Sequence, residues 1–244
     1  MVLTISTQRA KAWSVHPYPC IGLWSFLSFR AASTPTYRAA VARLRSDDAD
    51  DALVDLGCGL GQLLRRVRAD GVPGERLFGV DLHAEFLELG YELFRDRDGL
   101  GATMVAGDLL APDPQGAGAP GLAALDGKVT VVHAAHFFHL FAWEEQIRVG
   151  KRMVKFLRPG VRDAVIFGRQ IGSTRSDGHR VARANGERFV HGKESWQRLW
   201  DEVGDATGTT WRTEVEVLEG IQMTVPGFGQ DARYIRWTVR QAEG

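Results

Sequence analysis

Asp55-Leu-Gly-Cys-Gly-Leu-Gly61 closes the apolar run Ala52-Leu-Val-Asp-Leu56 and opens a helix-forming stretch, Gly61 to Ala69, that Asp70-Gly71 ends. A short apolar strand that turns through glycines into a helix is the opening unit of a parallel α/β sheet. Gly57, Gly59 and Gly61 permit a tight backbone and leave room for a ligand against the main chain. Such sheets bind ligands at the carboxyl ends of their strands. A dinucleotide site carries G-x-G-x-x-G, which sets a pyrophosphate on a helix N-terminus. Here the spacing is G-x-G-x-G behind an acid. Asp55 would repel a pyrophosphate, whereas it can accept a hydrogen bond from the α-amino group of a methionine moiety. Both features favour S-adenosylmethionine over NAD, with Cys58 and the three glycines of the turn lining the site.

The alternation continues outward. Arg76 to Leu82 reads as the second strand, Ala84 to Phe94 as a helix and Thr103 to Ala106 as the third strand. Asp81, followed by Leu82, ends the second strand, where a carboxylate accepts bonds from ribose hydroxyls; NAD enzymes share this feature. Asp108, followed by Leu109, ends the third strand, a position suited to an adenine amino group or to capping a turn. A loop spans Ala111 to Gly121. Lys128 to His133 reads as the fourth strand, Trp143 to Leu157 as a helix stopped by Arg158-Pro-Gly160, and Asp163 to Gly168 as the fifth strand. Gly172 to Gly192 reads as a long polar loop, Glu194 to Val203 as a helix. Trp211 to Leu218 and Tyr234 to Arg240 read as an antiparallel pair closing the sheet. The expected fold is α/β, a Rossmann-like, mostly parallel sheet. A single domain is expected, with residues 1–48 as an N-terminal helical cap and 49–244 as the core. Thr34-Pro-Thr begins one cap helix with a threonine cap and proline at the first position. Trp13, Tyr18, Trp24 and Phe26 are candidates to cover the ligands from that side or simply to pack.

Composition narrows the partners. Thirty basic residues balance thirty acidic ones and are interleaved with them, so nucleic acid is a poor substrate and a small molecule is expected. Two cysteines, Cys20 and Cys58, suggest a reducing, cytoplasmic setting. No secretory signal is visible, and no apolar run reaches the roughly 20 residues of a membrane span. A homodimer is a reasonable assembly.

On the acceptor side, His133, His136 and His139 follow one another in His-Ala-Ala-His-Phe-Phe-His. If helical, this spacing aligns them on one face, as a metal site would. No acid or cysteine accompanies them and phenylalanines crowd them, so no metal is expected. His136 and His139 are read as substrate-positioning groups or bases, and His133 as bordering the cofactor. Arg169 and Gln170, after the fifth strand, are suited to orienting a carboxylate. His179 and His191 flank the long loop, as lid residues or, by default, as exposed polar residues.

The chain resembles the class I methyltransferases over Ala52 to Arg240. Within them it is similar to fungal meroterpenoid and related secondary-metabolite methyltransferases. That likeness is carried by His16-Pro-Tyr-Pro-Cys20, Asp55 to Gln62, Leu89-Gly-Tyr-Glu-Leu-Phe-Arg-Asp-Arg-Asp98, Phe167-Gly-Arg-Gln170, Phe189-Val-His191 and Glu194-Ser-Trp196. The resemblance implies methyl-ester formation on a carboxylic acid of a terpenoid–polyketide intermediate; the segment Gly220 to Gly229 is where the pocket is expected to depart. Methylation of a phenol or enol, a nicotinamide oxidoreductase on the same sheet and a non-catalytic cofactor-binding subunit are the alternatives.

Overall fold

The computed structural model describes residues 2–46, 50–112, 121–183, 186–218 and 227–242. They fall into two compact units, Met1–Ala124 and Leu125–Gly244. The first contains helices α1 (Val2–Val15), α2 (Pro19–Gly22) and α3 (Pro35–Leu44), then β1 (Leu53–Leu56), α4 (Gln62–Ala69), β2 (Leu77–Asp81), α5 (Ala84–Phe94) and β3 (Thr103–Ala106). β2 lies between β1 and β3 and pairs with both in parallel, Asp55 opposite Gly79 and Asp81 opposite Ala106. Parallel pairing brings the three carboxyl ends to one edge, so the glycine turn, Asp81 and Gly107-Asp108 gather there.

β1 is buried along its whole length, as expected of a strand covered on both faces. The predicted cap of α3 is present: Thr34 Oγ1 accepts from the Tyr37 N–H at 3.1 Å, with Pro35 opening the helix. Tyr37 in turn donates to Asp70 at 2.7 Å, fixing α3 to the end of α4. Along α5, Glu92 accepts from Gln8 and Lys11 of α1 at 2.9 and 2.8 Å. Ala12 and Ile21 pack beneath against Leu60, Phe86 and Leu89.

The second unit contains β4 (Val131–Ala135), α6 (Trp143–Phe156), β5 (Val165–Ser173), β6 (His179–Arg183), β7 (Gly186–Val190), α7 (Lys193–Thr207), β8 (Trp211–Val217) and β9 (Ala232–Gln241). β4 and β5 are parallel, and β9 is antiparallel to both β5 and β8, so the expected late antiparallel pair is present. Phe138, Trp196 and Trp237 form the centre of its core, with ring centroids 4.8 to 5.7 Å apart.

Helix α7 runs four residues past the expected Val203 and β9 starts two residues before Tyr234; three further differences bear on the site, each for a hydrogen-bonding reason. The fourth strand starts at Val131, not Lys128, and runs to Ala135. The N–H groups of Gly127 and Val129 are spent on the Lys155 and Phe156 carbonyls at the end of α6, and pairing with β5 continues through Ala135, which places His133 within the strand rather than at its end. The fifth strand continues past Gly168 to Ser173 because β9 pairs with it over that whole length. Arg169 and Gln170 therefore lie inside it. Residues 172–192 are not an irregular loop: His179 to Arg183 and Gly186 to Val190 form an antiparallel hairpin, whose largely solvent-facing side chains gave it a polar sequence. Most of the Ala111 to Gly121 loop and of Gly220 to Gly229 lies outside the described residues. Among the described residues no helix is long and apolar enough to cross a membrane.

Gly168 sits where a side chain cannot. A Cβ there would lie 2.0 Å from the Ala134 carbonyl oxygen and 2.7 Å from the Trp237 ring. Gly168→Ala is expected to destabilise the chain by about 1–3 kcal/mol, the usual cost of overpacking. Calorimetry should show a melting temperature lower by several degrees, at roughly 2–4 °C per kcal/mol for a chain of this size; an unchanged value would contradict the packing.

Candidate active site

In the first unit the turn from β1 to α4 is held in a shape only glycine takes easily. Gly57, Gly59 and Gly61 have φ of 65°, 56° and 71°, the left-handed region that a Cβ disfavours. A Cβ at Gly59 would meet nothing within 4 Å, so the main chain there borders open space. Two bonds anchor the turn to β2: Cys58 N–H donates to the Val80 carbonyl at 3.0 Å, and Gly59 N–H to Asp81 Oδ2 at 2.8 Å. The Cys58 side chain is buried, and burial pushes its thiol well above the ordinary range; what Cys58 offers a ligand is main chain.

Asp81 is the hinge of the site. Its other oxygen accepts from His83 N–H at 3.0 Å, and its main-chain oxygen from Gly107 N–H at 2.9 Å. Burial raises its pKa, while the two backbone donors oppose the rise. Each carboxylate oxygen has a further lone pair for a hydroxyl. Asp55 is buried within β1. Asp108 is exposed and accepts from Leu110 N–H at 2.8 Å, the turn-capping geometry weighed from sequence. Leu109 is buried, whereas Leu82, beside Asp81, is 57% exposed, an apolar surface at the mouth of the cradle.

The N-terminal segment brings His16 and the expected cover residue Tyr18 against α5. His16 stacks on His83 with ring centroids 5.5 Å apart and a 20° interplanar angle. Tyr18 packs on His16 at 4.0 Å and on Phe86 at 6.1 Å. Burial, then the Asp81 charge, raises the Tyr18 pKa, so His16-Pro-Tyr-Pro-Cys20 folds beside the Asp81 carboxylate. Of the other expected cover residues, Trp24 lies under the Arg9 guanidinium at 4.9 Å and Trp13 is 46% exposed. The side chain of Phe26 lies outside the described residues.

In the second unit the three histidines do not share a helix. His133 is buried within β4, edge-on to Phe167 at 5.0 Å. His136 leaves the strand with φ of 54° and donates its N–H to the Arg169 carbonyl at 2.6 Å. His139 lies in the 3-10 turn Phe138–Leu140. The left-handed kink breaks the helical spacing, yet it brings the His136 and His139 rings to 6.1 Å. A non-glycine residue held there costs on the order of 1–3 kcal/mol, and such strain concentrates at functional sites. Burial, then the charges of Arg169 and His133, lowers the His136 pKa to about 4. Burial, then His136 and Arg188, holds His139 well below its ordinary value. Both rings are neutral at physiological pH.

Arg169 and Gln170 part company. Alternation along β5 sends them to opposite faces. The Arg169 guanidinium lies 4.3 Å over Tyr234, whose ring is 5.5 Å from that of His136. Gln170 is fully buried on the other face, with neither amide atom partnered among the described residues. Arg169 thus belongs with the histidines and Gln170 does not. His191 is a buried structural residue, bonded to Gln146 at 2.7 Å and to Ser195 at 3.2 Å. His179 bonds Ser173 at 3.2 Å and tethers the hairpin. Among the described residues no group of three histidine, cysteine or acidic side chains is placed to hold a metal ion.

Comparisons with known proteins agree with this chemistry. A methyltransferase-domain family matches residues 54–162, and a family described as the meroterpenoid methyltransferase N-terminal domain matches residues 2–27. The chain is 40% identical over 215 residues to O-methyltransferase phiE of a fungal species, covering 88% of this chain and 69% of phiE. It is 37% identical over 223 residues to O-methyltransferase atr3 of Stereocaulon alpinum, covering 91% of this chain and 61% of atr3. The chain thus spans about two thirds of the length of these relatives. Its fold is similar to that of DhpI, solved with S-adenosylhomocysteine, with a TM-score of 0.54, 16% identity and coverage of 99% and 96% of the two chains. At that identity the likeness establishes the fold, Rossmann-like α/β with antiparallel edge strands.

Asp81→Ala should weaken S-adenosylhomocysteine binding by roughly tenfold to a hundredfold, the usual loss for hydrogen bonds to a charged group. Titration calorimetry measures it; wild-type affinity in the variant would remove Asp81 from the cofactor site.

Proposed function

This chain belongs to the S-adenosylmethionine-dependent methyltransferases, in the fungal group that includes phiE and atr3, and from that we propose that it methylates a carboxylate of a small, largely apolar terpenoid or meroterpenoid metabolite. The cofactor supplies an electrophilic methyl group carried on a sulfonium. The glycine turn and Asp81 present main-chain space and a carboxylate suited to holding it. Asp55, Leu82, Asp108 and Leu109 remain assigned to the same cofactor in this proposal.

One observation carries the choice of acceptor: a neutral His136 beside the Arg169 guanidinium. Arginine matches a carboxylate in charge and shape. A carboxylate reaches the reaction already ionised, so the new O–CH3 bond forms as the S–CH3 bond breaks with no proton to remove. Aligning the acceptor then does most of the work. A phenol would call for a base tuned near the working pH, and burial sets His136 more than two units below that range. In this proposal His136 and His139 are neutral hydrogen-bonding groups that position the acceptor, and Phe137, Phe141 and Tyr234 supply the apolar and aromatic surroundings. The match of residues 2–27 to a meroterpenoid methyltransferase domain supports an apolar polycyclic acceptor.

The test is the pH profile together with two variants. With a folded-state pKa of about 4 against 6.5 when exposed, His136 takes up a proton only as the pH falls through about 4. The kcat/KM for the acceptor should therefore be flat from pH 6 to 8. His136→Ala should lower kcat less than about tenfold, whereas Arg169→Gln should raise the acceptor KM roughly tenfold to a hundredfold. An inflection near pH 6.5 that vanishes in His136→Ala, with near-complete loss of kcat, would overturn the carboxylate reading. Product analysis should show a methyl ester.

A further inference from the structure

Asp81 grips the glycine turn by an N–H, and a second group grips it by its carbonyls. Arg65, in the first turn of α4, donates from Nη1 to the Leu60 carbonyl at 2.7 Å and to the Gly61 carbonyl at 3.2 Å. Its Nε and Nη2 hold the two carboxylate oxygens of Asp96, just beyond α5, at 2.7 and 2.8 Å. The guanidinium lies over Phe94 at 4.3 Å and over Tyr91 at 5.5 Å. The Arg65 side chain is 8% exposed. A guanidinium so buried needs a counter-anion, and Asp96 supplies it.

The backbone of α5 is shaped to this contact. A Cβ at Gly90 would lie 2.3 Å from the Leu60 carbonyl oxygen, so helix and turn meet main chain to main chain. A Cβ at Gly61 would lie 2.8 Å from Arg65 Nη1. The helix ends at Arg95, a non-glycine residue at φ of 55° whose N–H donates to the Tyr91 carbonyl at 2.8 Å. That left-handed step turns the chain so that Asp96 meets α4; such strain concentrates at functional sites. The two bonds to Asp96 alone would join α4 to α5. Nη1 goes further and reaches back to the carbonyls that close the turn. The main chain from Gly59 to Gly61 is thus held between opposite charges, the Asp81 carboxylate on a donor and the Arg65 guanidinium on two acceptors.

We propose that Arg65 and Asp96 are positioning residues for S-adenosylmethionine, acting through the glycine turn. They keep the Leu60 and Gly61 carbonyls drawn toward α5, and so fix the main-chain surface at Gly59 against which the cofactor lies. The pair sets cofactor affinity and takes part in no bond-making step. The proposal rests on the assignment of the glycine turn to the cofactor.

The experiment measures S-adenosylhomocysteine affinity by calorimetry and amide hydrogen exchange at Gly59 and Gly61 by NMR, on the full chain. Exchange at such sites reports local opening of the turn. In wild type, S-adenosylhomocysteine should slow exchange at both glycines. Without ligand, Arg65→Gln and Asp96→Asn should speed that exchange severalfold, and both should raise the S-adenosylhomocysteine Kd roughly tenfold, the worth of a hydrogen bond to a charged group. The control is Arg43→Gln, which breaks a pair of the same kind, Arg43 with Asp51 at 2.7 Å, before the amino end of β1. It should lower the melting temperature and leave Kd unchanged. A wild-type Kd in both Arg65→Gln and Asp96→Asn overturns the proposal, as does an equal rise in Arg43→Gln, which would mark a general loss of stability. Binding to wild type without slower exchange at either glycine overturns the assignment of the turn instead. Asp96 is partly exposed, so Asp96→Asn decides the matter should Arg65→Gln not fold.

Discussion

The carboxylate of Asp81 holds the cofactor side of this protein together. One oxygen takes the N–H of Gly59, in the middle of the glycine turn, and the other takes the N–H of His83 at the start of α5. Three glycines in left-handed conformation would otherwise be the loosest part of the chain, since glycine has the most conformational freedom to lose. Pinned to β2 at Cys58 and Gly59, the turn becomes a fixed surface. The same residue extends the support to β3 through its main-chain oxygen and Gly107. The group proposed to hold the cofactor is thereby also the one that shapes the turn beside it.

In the second unit the corresponding constraint is strand length. β9 is ten residues long and keeps β5 extended to Ser173. That extension carries Arg169 to the level at which its carbonyl can accept the His136 N–H. The strained turn at His136, the approach of His139 and the stacking of Arg169 on Tyr234 all follow from it. Removing the pairing beyond Gly168 would leave the histidines without a frame.

The cofactor half was legible because its signals are local. Glycine spacing, a leading acid and strand-end aspartates are chain-neighbour features, and the elements around them fell within a residue or two of their expected limits. The second unit was legible only in part. His133, His136 and His139 stand out by spacing, but their geometry depends on a bond from His136 to Arg169, 33 positions away. Gln170 was grouped with Arg169 because both were read as following the strand; once β5 extends, alternation separates them. The β6–β7 hairpin was missed because most of its side chains face solvent and read as polar loop. His191 looked like a lid residue, and only its contacts with Gln146 and Ser195 reveal a buried support.

The alternation of β9 has a consequence for how such an enzyme diverges. Ile235, Trp237 and Val239 face the buried core, while Tyr234 and Arg236 lie on the side of Arg169. Period-two geometry places the two sets on separate surfaces of one strand. In the proposed acceptor site, mutations at Tyr234 would retune acceptor choice while the residues that keep the strand folded go untouched. A lineage of such enzymes can explore new metabolites along this strand by changing every second residue and conserving those between.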